Sequence, residues 1–369
     1  MTNRIRLFLS GDVMTGRGID QVLPHPAGTS LYEPFVRDAR DYVRLAELRR
    51  GKIRRPITWE YIWGDGLPEL RQADRRIINL ETAITRSDDP WPGKEIHYRM
   101  DPANIACLTA AGIDCCCLAN NHVLDWGYSG LLETLRTLDA AGLAHCGAGR
   151  NIAEAAAPAV LDVPGKGRAL VFSLGMPSSG VPHAWAADKD RPGVNFLDDL
   201  SEQTAGRIAD QVGQVKQPGD VAVVSIHWGG NWGYDVSETE TAFARRLIDG
   251  GVQIVHGHSS HHVKALEVYH DQLILYGCGD LLNDYEGIGG YRAYRSDLAL
   301  MYFPTLDAQT GGLLDLRLVP MRVKHFRLNR ASATDAHWLC NRLNQEAQMF
   351  GTRLQLDGET GTLAWAPPP

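Results

Sequence analysis

Five short apolar runs in this chain each break off at a residue that can bind a metal ion. Ile5-Arg6-Leu7-Phe8-Leu9 leads through Ser10-Gly11 to Asp12. Arg75-Arg76-Ile77-Ile78 ends in Asn79-Leu80-Glu81. Asp114 to Ala119 runs into Asn120-Asn121-His122. Val221 to Ile226 delivers His227, and Gln253-Ile254-Val255 delivers His256-Gly257-His258, with His261 and His262 close behind. Runs this short and apolar read as buried strands. Helical patterns lie between them, over 102–111, 129–141, 201–215 and 238–250, several ended by a glycine. Alternating buried strands and helices define an α/β fold. In such folds ligands gather beyond the carboxyl ends of the strands.

The chain has 369 residues, 44% of them hydrophobic, which is enough to bury a large core. We read residues 1–305 as one catalytic domain. Residues 28–68, rich in Arg, Trp, Tyr and Pro, form an insertion with one or two helices, and 306–369 form a β/α extension packed on the same domain. The net charge is −7, and the one short basic run, Arg49 to Arg55, reads as a solvated loop. Nucleic acid is therefore not expected as a partner. No stretch of about 18 apolar residues is present, so no membrane span is expected. The seven cysteines are irregularly spaced, three of them adjacent at Cys115-Cys116-Cys117. They read as small buried hydrophobes in a reducing compartment, and with no apolar leader after Met1-Thr2-Asn3 a cytoplasmic location is expected. The oligomeric state is left open.

Each motif has a plainer reading by itself. Asp12 after Gly11 could be a turn residue. Asn120-Asn121-His122 could cap a helix, and His227 could be a core histidine. The joint pattern is harder to dismiss, because four histidines fall within residues 256–262 and every member sits at a strand end. Carboxylates, an amide oxygen and imidazoles together suit divalent Mn, Zn or Fe. Two such ions can activate water and clamp the oxygens of a displacement.

The motifs Ser10-Gly11-Asp12-Val13-Met14-Thr15-Gly16-Arg17, Asn79-Leu80-Glu81-Thr82, Ala119-Asn120-Asn121-His122, Ile226-His227-Trp228-Gly229, Gly257-His258-Ser259-Ser260-His261-His262 and Leu275-Tyr276-Gly277-Cys278-Gly279-Asp280 occur in this order. The sequence so resembles the bacterial capsule-synthesis family related to poly-γ-glutamate production, within the calcineurin-like metallophosphatase superfamily. The resemblance implies a four-layer α/β/β/α sandwich with two divalent ions. It implies that Asp12 binds the first ion and that Glu81 replaces a bridging aspartate. Asn121, His227 and His258 would bind the second ion, and His261 or His262 the first. His122 would protonate the leaving group or hold the scissile group.

Two departures qualify this. The superfamily's Asp-x-His motif has Met14 in place of its histidine, and a thioether is a poor ligand for such ions. The first ion is then expected to be weakly or differently held, with His256 or a spare histidine of the cluster compensating. Glu81 is also one methylene longer than aspartate.

Around this centre, Asp125 is expected to orient His122. Arg17, Lys94, Tyr98 and Arg99 are expected to bind an anionic substrate, with Asn79, Asn120, Trp228 and Asp284 as further contacts. Three functions follow. The first is a dinuclear hydrolase cleaving a phosphoester of a small or polymeric anion. The second is an amide or γ-glutamyl hydrolase or transferase. The third is a non-catalytic factor that binds an acidic polymer during its assembly.

Overall fold

A computed structural model describes residues 4–288 and 290–367. Met1-Thr2-Asn3 and the last residues of the expected C-terminal extension lie outside them. The strand–helix alternation folds into two main sheets, beside two small two-stranded ones. The larger has the order 353–356, 363–366, 313–323, 298–307, 4–13, 75–80, 115–117, 144–146. Its strands from 4–13 to 144–146 run parallel. The smaller sheet has the order 266–269, 272–275, 254–258, 221–227, 167–175, 159–163, with a parallel centre. Strands beyond residue 305 continue the larger sheet rather than forming one of their own.

Side-chain alternation builds the layers, since neighbours in a strand face opposite ways. Leu7, Leu9, Ile77, Cys115 and Cys117 face Val171, Val223, Ile254 and Leu273 of the other sheet and form the central core. Phe8, Ile78 and Cys116 point outward, onto helices Arg40–Arg50 and Gly127–Ala140. On the far side Val224, Ile226 and Val255 pack under helices Glu202–Val215 and Glu238–Asp249. The result is the expected four-layer α/β/β/α sandwich. The three adjacent cysteines are split between two of its three interfaces, all seven thiols are unpaired and buried, and the helical periods fall within a few residues of their expected bounds. The exception is 102–111, which divides into a 3-10 turn, Pro102–Asn104, and a short helix, Ala106–Ala110. No helix among the described residues is long and apolar enough to cross a membrane.

One local device positions the site. The register of strand 4–13 slips against 75–80 between Ser10 and Asp12. Bulges of this kind re-aim side chains. A Cβ on Gly11 would lie 1.7 Å from the Gly279 carbonyl oxygen, so the two backbones touch only because residue 11 has no side chain. Asp12 N–H then donates to Gly279 O at 3.0 Å, and Asp12 stands level with Asp280.

Gly11→Ala is therefore expected to destabilise the fold by about 3 kcal/mol, since backbone must move. Gly213, exposed in helix Glu202–Val215, has nothing within 4 Å of its would-be Cβ. Gly213→Ala should stabilise by about 0.5–1 kcal/mol. Urea melts of the two variants check both signs.

Candidate metal centre

The ends of the parallel strands of both sheets converge on Asp12. Its ligand-type atoms cluster with those of His227 and His258 on one side and with those of His261 and Asp280 on the other, all within 4.8 Å of one another in each group. Asp12 is common to both groups. A single amide organises the carboxylates: Asn79 Nδ2 donates to Asp12 Oδ1 at 2.8 Å and to Glu81 Oε2 at 3.1 Å. Asn120 Nδ2 in turn donates to Asn79 Oδ1 at 3.0 Å.

The histidines are sorted by what their other nitrogens do. His256 Nε2 lies 2.8 Å from the Ser10 carbonyl, which can only accept, so Nε2 carries the proton. In the neutral ring Nδ1 then accepts from Ser225 Oγ at 3.1 Å, and Ser225 Oγ accepts from His258 Nε2 at 2.8 Å. This leaves His258 Nδ1 bare. It faces His227 Nδ1 at 2.7 Å, while His227 Nε2 lies 3.2 Å from Asn121 Oδ1. His261 Nδ1 pairs with Asp280 Oδ1 at 2.9 Å, and Asn283 Nδ2 holds Asp280 Oδ2 at 2.9 Å.

The electrostatics are those of a site built for a cation. Burial lifts the Asp12 carboxyl to about 6. Burial and the neighbouring Asp12 and Asp280 hold Glu81 well above the carboxylate range. Burial keeps His227 and His258 well below the ordinary imidazole value, hence neutral and able to ligate. Burial opposes charge on His261 too, but Asp280 and Asp12 outweigh it and raise its imidazole. Asp12 Oδ2 is buried without a donor. A cation would satisfy that oxygen and fill the gap between the two facing Nδ1 atoms. The residues present therefore fit divalent ions: Asp12, His227 and His258 would hold one position, and Asp12, His261 and Asp280 an adjoining one.

Beside this cluster His122 Nδ1 lies 2.7 Å from Asp125 Oδ2 and its Nε2 lies 3.8 Å from Glu81 Oε1. Lys94 Nζ reaches Asp125 Oδ1 at 2.5 Å and the His122 ring at 3.1 Å. Tyr98 stacks on His122 with ring centres 3.8 Å apart. Burial, then Lys94, drives the His122 imidazole well below its ordinary value. Burial outweighs Lys94 at Asp125 and lifts its carboxyl to about 6. A cavity of about 660 Å³ opens onto Glu81, Lys94, Tyr98, Asn121, His122 and His261, and Pro34, Phe35, Val36 and Leu45 of the 28–68 segment form its opposite wall.

The structure corrects several expectations. His256 spends both ring nitrogens inside the protein and has none for an ion. His262 donates from Nδ1 to Val263 O, and its ring packs among Trp232, Tyr234 and Tyr294, away from both groups. Asn79 and Asn120 lie beneath the cavity and position carboxylates rather than touch substrate. Trp228 is core, stacked near Tyr276 with its Nε1 on Tyr276 O. Arg99 turns away, under the Trp126 ring at 3.9 Å and paired with Asp88. Arg17 and Asp284, both expected to bind substrate, bind each other at 2.5 Å, and Glu33 takes a second Arg17 nitrogen at 2.8 Å. The Met14 side chain is buried, and its backbone N–H donates to Leu282 O at 3.0 Å. Asp280, which the sequence reading did not single out, stands with Asp12 and His261 in the second group. Its signal was the Gly279-Asp280 step after a strand, the same form as Gly11-Asp12.

The sequence model described as "Bacterial capsule synthesis protein PGA_cap" matches residues 6–285. The chain belongs to this family, the one its motifs suggest. A Mycobacterium tuberculosis protein named "Probable polyglutamine synthesis accessory protein" is 46% identical over 353 residues, covering 95% of this chain and 93% of that one. The Bacillus subtilis "PGA biosynthesis protein CapA" is 26% identical over 291 residues, covering 74% of this chain and 62% of that one. Among solved structures, a 5'-nucleotidase precursor from Thermus thermophilus aligns with a TM-score of 0.44 at 14% identity, over 86% of this chain and 54% of that one.

Asp12→Asn removes the charge that both groups share. It is expected to weaken Mn or Zn uptake by at least about 100-fold, more than the loss of an outlying support costs. Met14→Leu should leave uptake unchanged. Elemental analysis of the purified proteins after dialysis decides it, and equal metal content in Asp12→Asn and wild type would refute the cluster.

Proposed function

We propose that this chain is a metal-dependent hydrolase with two adjoining ion positions that cleaves a phosphoester of an anionic substrate. The observation that carries this reading is the sharing of Asp12 between two ligand groups, with one of its oxygens buried and unpartnered. Divalent ions bound there would supply Lewis-acid activation of water and neutralise charge developing on the substrate. The chain's own residues supply the rest. His122 Nδ1 lies 2.7 Å from Asp125 Oδ2 and 3.1 Å from Lys94 Nζ; with the shorter contact as a bond from Nδ1–H to Asp125, Nε2 presents its lone pair to the cavity. Lys94 balances Asp125 and keeps the imidazole neutral. From that position His122 Nε2 takes a proton from the attacking water or, once protonated, returns it to the leaving group. Asn79 keeps Asp12 and Glu81 in place, and Pro34, Phe35, Val36 and Leu45 of the 28–68 segment line the cavity.

A second reading, cleavage of a γ-glutamyl amide, is favoured by a specific observation. Arg17, the cation best placed to hold a phosphate, is already neutralised by Asp284 and Glu33. The names of the M. tuberculosis and B. subtilis relatives point to glutamine or glutamate polymers. We place the protein in the cytoplasm, which the seven unpaired buried thiols support.

The test is turnover of p-nitrophenyl phosphate, bis(p-nitrophenyl) phosphate and γ-linked glutamate oligomers with Mn, Zn or Fe added. Ester cleavage supports the first reading and oligomer cleavage alone the second. No turnover of any substrate by metal-loaded protein would end both. His122→Asn should lower kcat by about 10²–10⁴-fold at unchanged metal content.

A further inference from the structure

A second cavity, of about 290 Å³, adjoins the one over the metal centre, and the two share Tyr285, Ile288 and Ser296 as a common wall. Arginine dominates its lining. Arg49 and Arg50 end helix Arg40–Arg50, Arg292 and Arg295 come from the segment before strand Leu298–Asp307, and Arg322 comes from strand Leu313–Val323.

Two of the five are already paired. Arg295 and Arg322 both bind Asp297 and Asp335. Of the other three, only Arg50 has a carboxylate near it. Among the described residues Arg49 and Arg292 have no ion-pair partner, and both are exposed. Arg50 has only Glu286, at 3.9 Å, and its Nε is buried with no acceptor. Glu286 Oε2 accepts from Phe326 N–H at 2.8 Å, which holds its Oε1 beyond hydrogen-bond distance of Arg50, and neither of those two facing atoms has another partner among the described residues. The helix dipole favours cations at a carboxyl end, which accounts for Arg49 and Arg50. It does not account for Arg292, which approaches from another segment. Converging guanidiniums in a concave wall repel one another and focus a positive potential. The main cavity shows the reverse economy, because its cations Arg17 and Lys94 are spent on Asp284, Glu33 and Asp125.

We propose that the arginine-lined cavity is an anion subsite, built by Arg49, Arg50 and Arg292, for a substrate that carries a second acidic group beside the bond at the metal centre. The proposal rests on reading that centre as hydrolytic and adds a substrate class to it, molecules with at least two separated oxyanions. Guanidinium pairs with carboxylate and phosphate alike, so the shared chemistry is an oxyanion. The common wall at Tyr285 ties the two ends together, since its ring also packs edge-on against His261 at 5.4 Å.

Calorimetric titration of the Mn-loaded full chain tests this, with tetra-γ-glutamate and tripolyphosphate as probes of the two sources. R50Q/R292Q is expected to weaken the probe that binds by about tenfold, and R50K/R292K to keep most of the affinity. High salt should erase the difference. Arg292 is exposed, so R292Q alone is a variant whose folding is not at stake. Equal affinity in wild type and R50Q/R292Q, or no binding of either polyanion by wild type, would overturn the subsite. Failure of the hydrolytic reading would look different: wild type would bind the polyanion in an arginine-dependent way yet take up no metal or turn nothing over.

Discussion

His256 of the smaller sheet donates to the Ser10 carbonyl of the larger one at 2.8 Å, across the interface between them. That bond fixes one proton, and in the neutral ring two others follow from it. His256 must accept from Ser225, Ser225 must accept from His258, and His258 must present a bare nitrogen toward Asp12 and His227. A buried polar chain is stable only when every member is satisfied. Here the one end it leaves open is the ligand atom. The sheet–sheet contact and the chemistry of the site are thus one hydrogen-bonded unit. A change at His256 would alter both the sandwich and the lone pair it serves.

The carboxylates pose the opposite problem. Asp12, Glu81 and Asp280 crowd together in a buried place, and the charged forms repel. The Asn79 amide donates to two of them but brings no charge. Without a cation, Glu81 relieves the strain by keeping a proton. A divalent ion would relieve it more fully and reverse the shift, because a nearby positive charge favours carboxylate over acid. The arrangement is costly as protein structure and reasonable as a receptor for charge.

How far this was legible in the sequence depended on whether local pattern could see it. Asp12, His227 and His258 close apolar strands, and strand ends converge in an α/β sheet, so their meeting was foreseeable. His256 and His258 were indistinguishable, because residues two apart share a face of a strand. Only depth separates them, and depth is set by the other sheet. Asp280 opens a strand of only three residues, and the apolar run before it, Gln272–Leu275, ends several residues earlier. Arg17 and Asp284 both read as free ligands since their pairing spans 267 residues. Trp228 followed a ligand in sequence yet points to the far side of its strand, as alternation requires. The layers were legible because they repeat a period. The pairings were not, because each is a single long-range event.

The Arg17 cluster shows why a cation beside a metal centre need not serve the substrate. Arg17 reaches Asp284 and Glu33 and stacks over the Tyr42 ring at 3.9 Å and the Tyr98 ring at 4.6 Å. Glu33 and Tyr42 belong to the 28–68 segment, and Tyr98 packs on His122. Breaking such a buried pair costs about 3–5 kcal/mol, since the orphaned charge has no water to return to. The interaction therefore pins the segment over the site and sets the height of the wall formed by Pro34, Phe35, Val36 and Leu45. An apolar wall there lowers the local dielectric and strengthens every charge interaction at the centre. It also denies the substrate a polar grip on that side. On the proposed reading, affinity for an anion would come from bound ions at one end and, at the other, from Arg49, Arg50 and Arg292 beyond the Tyr285 wall.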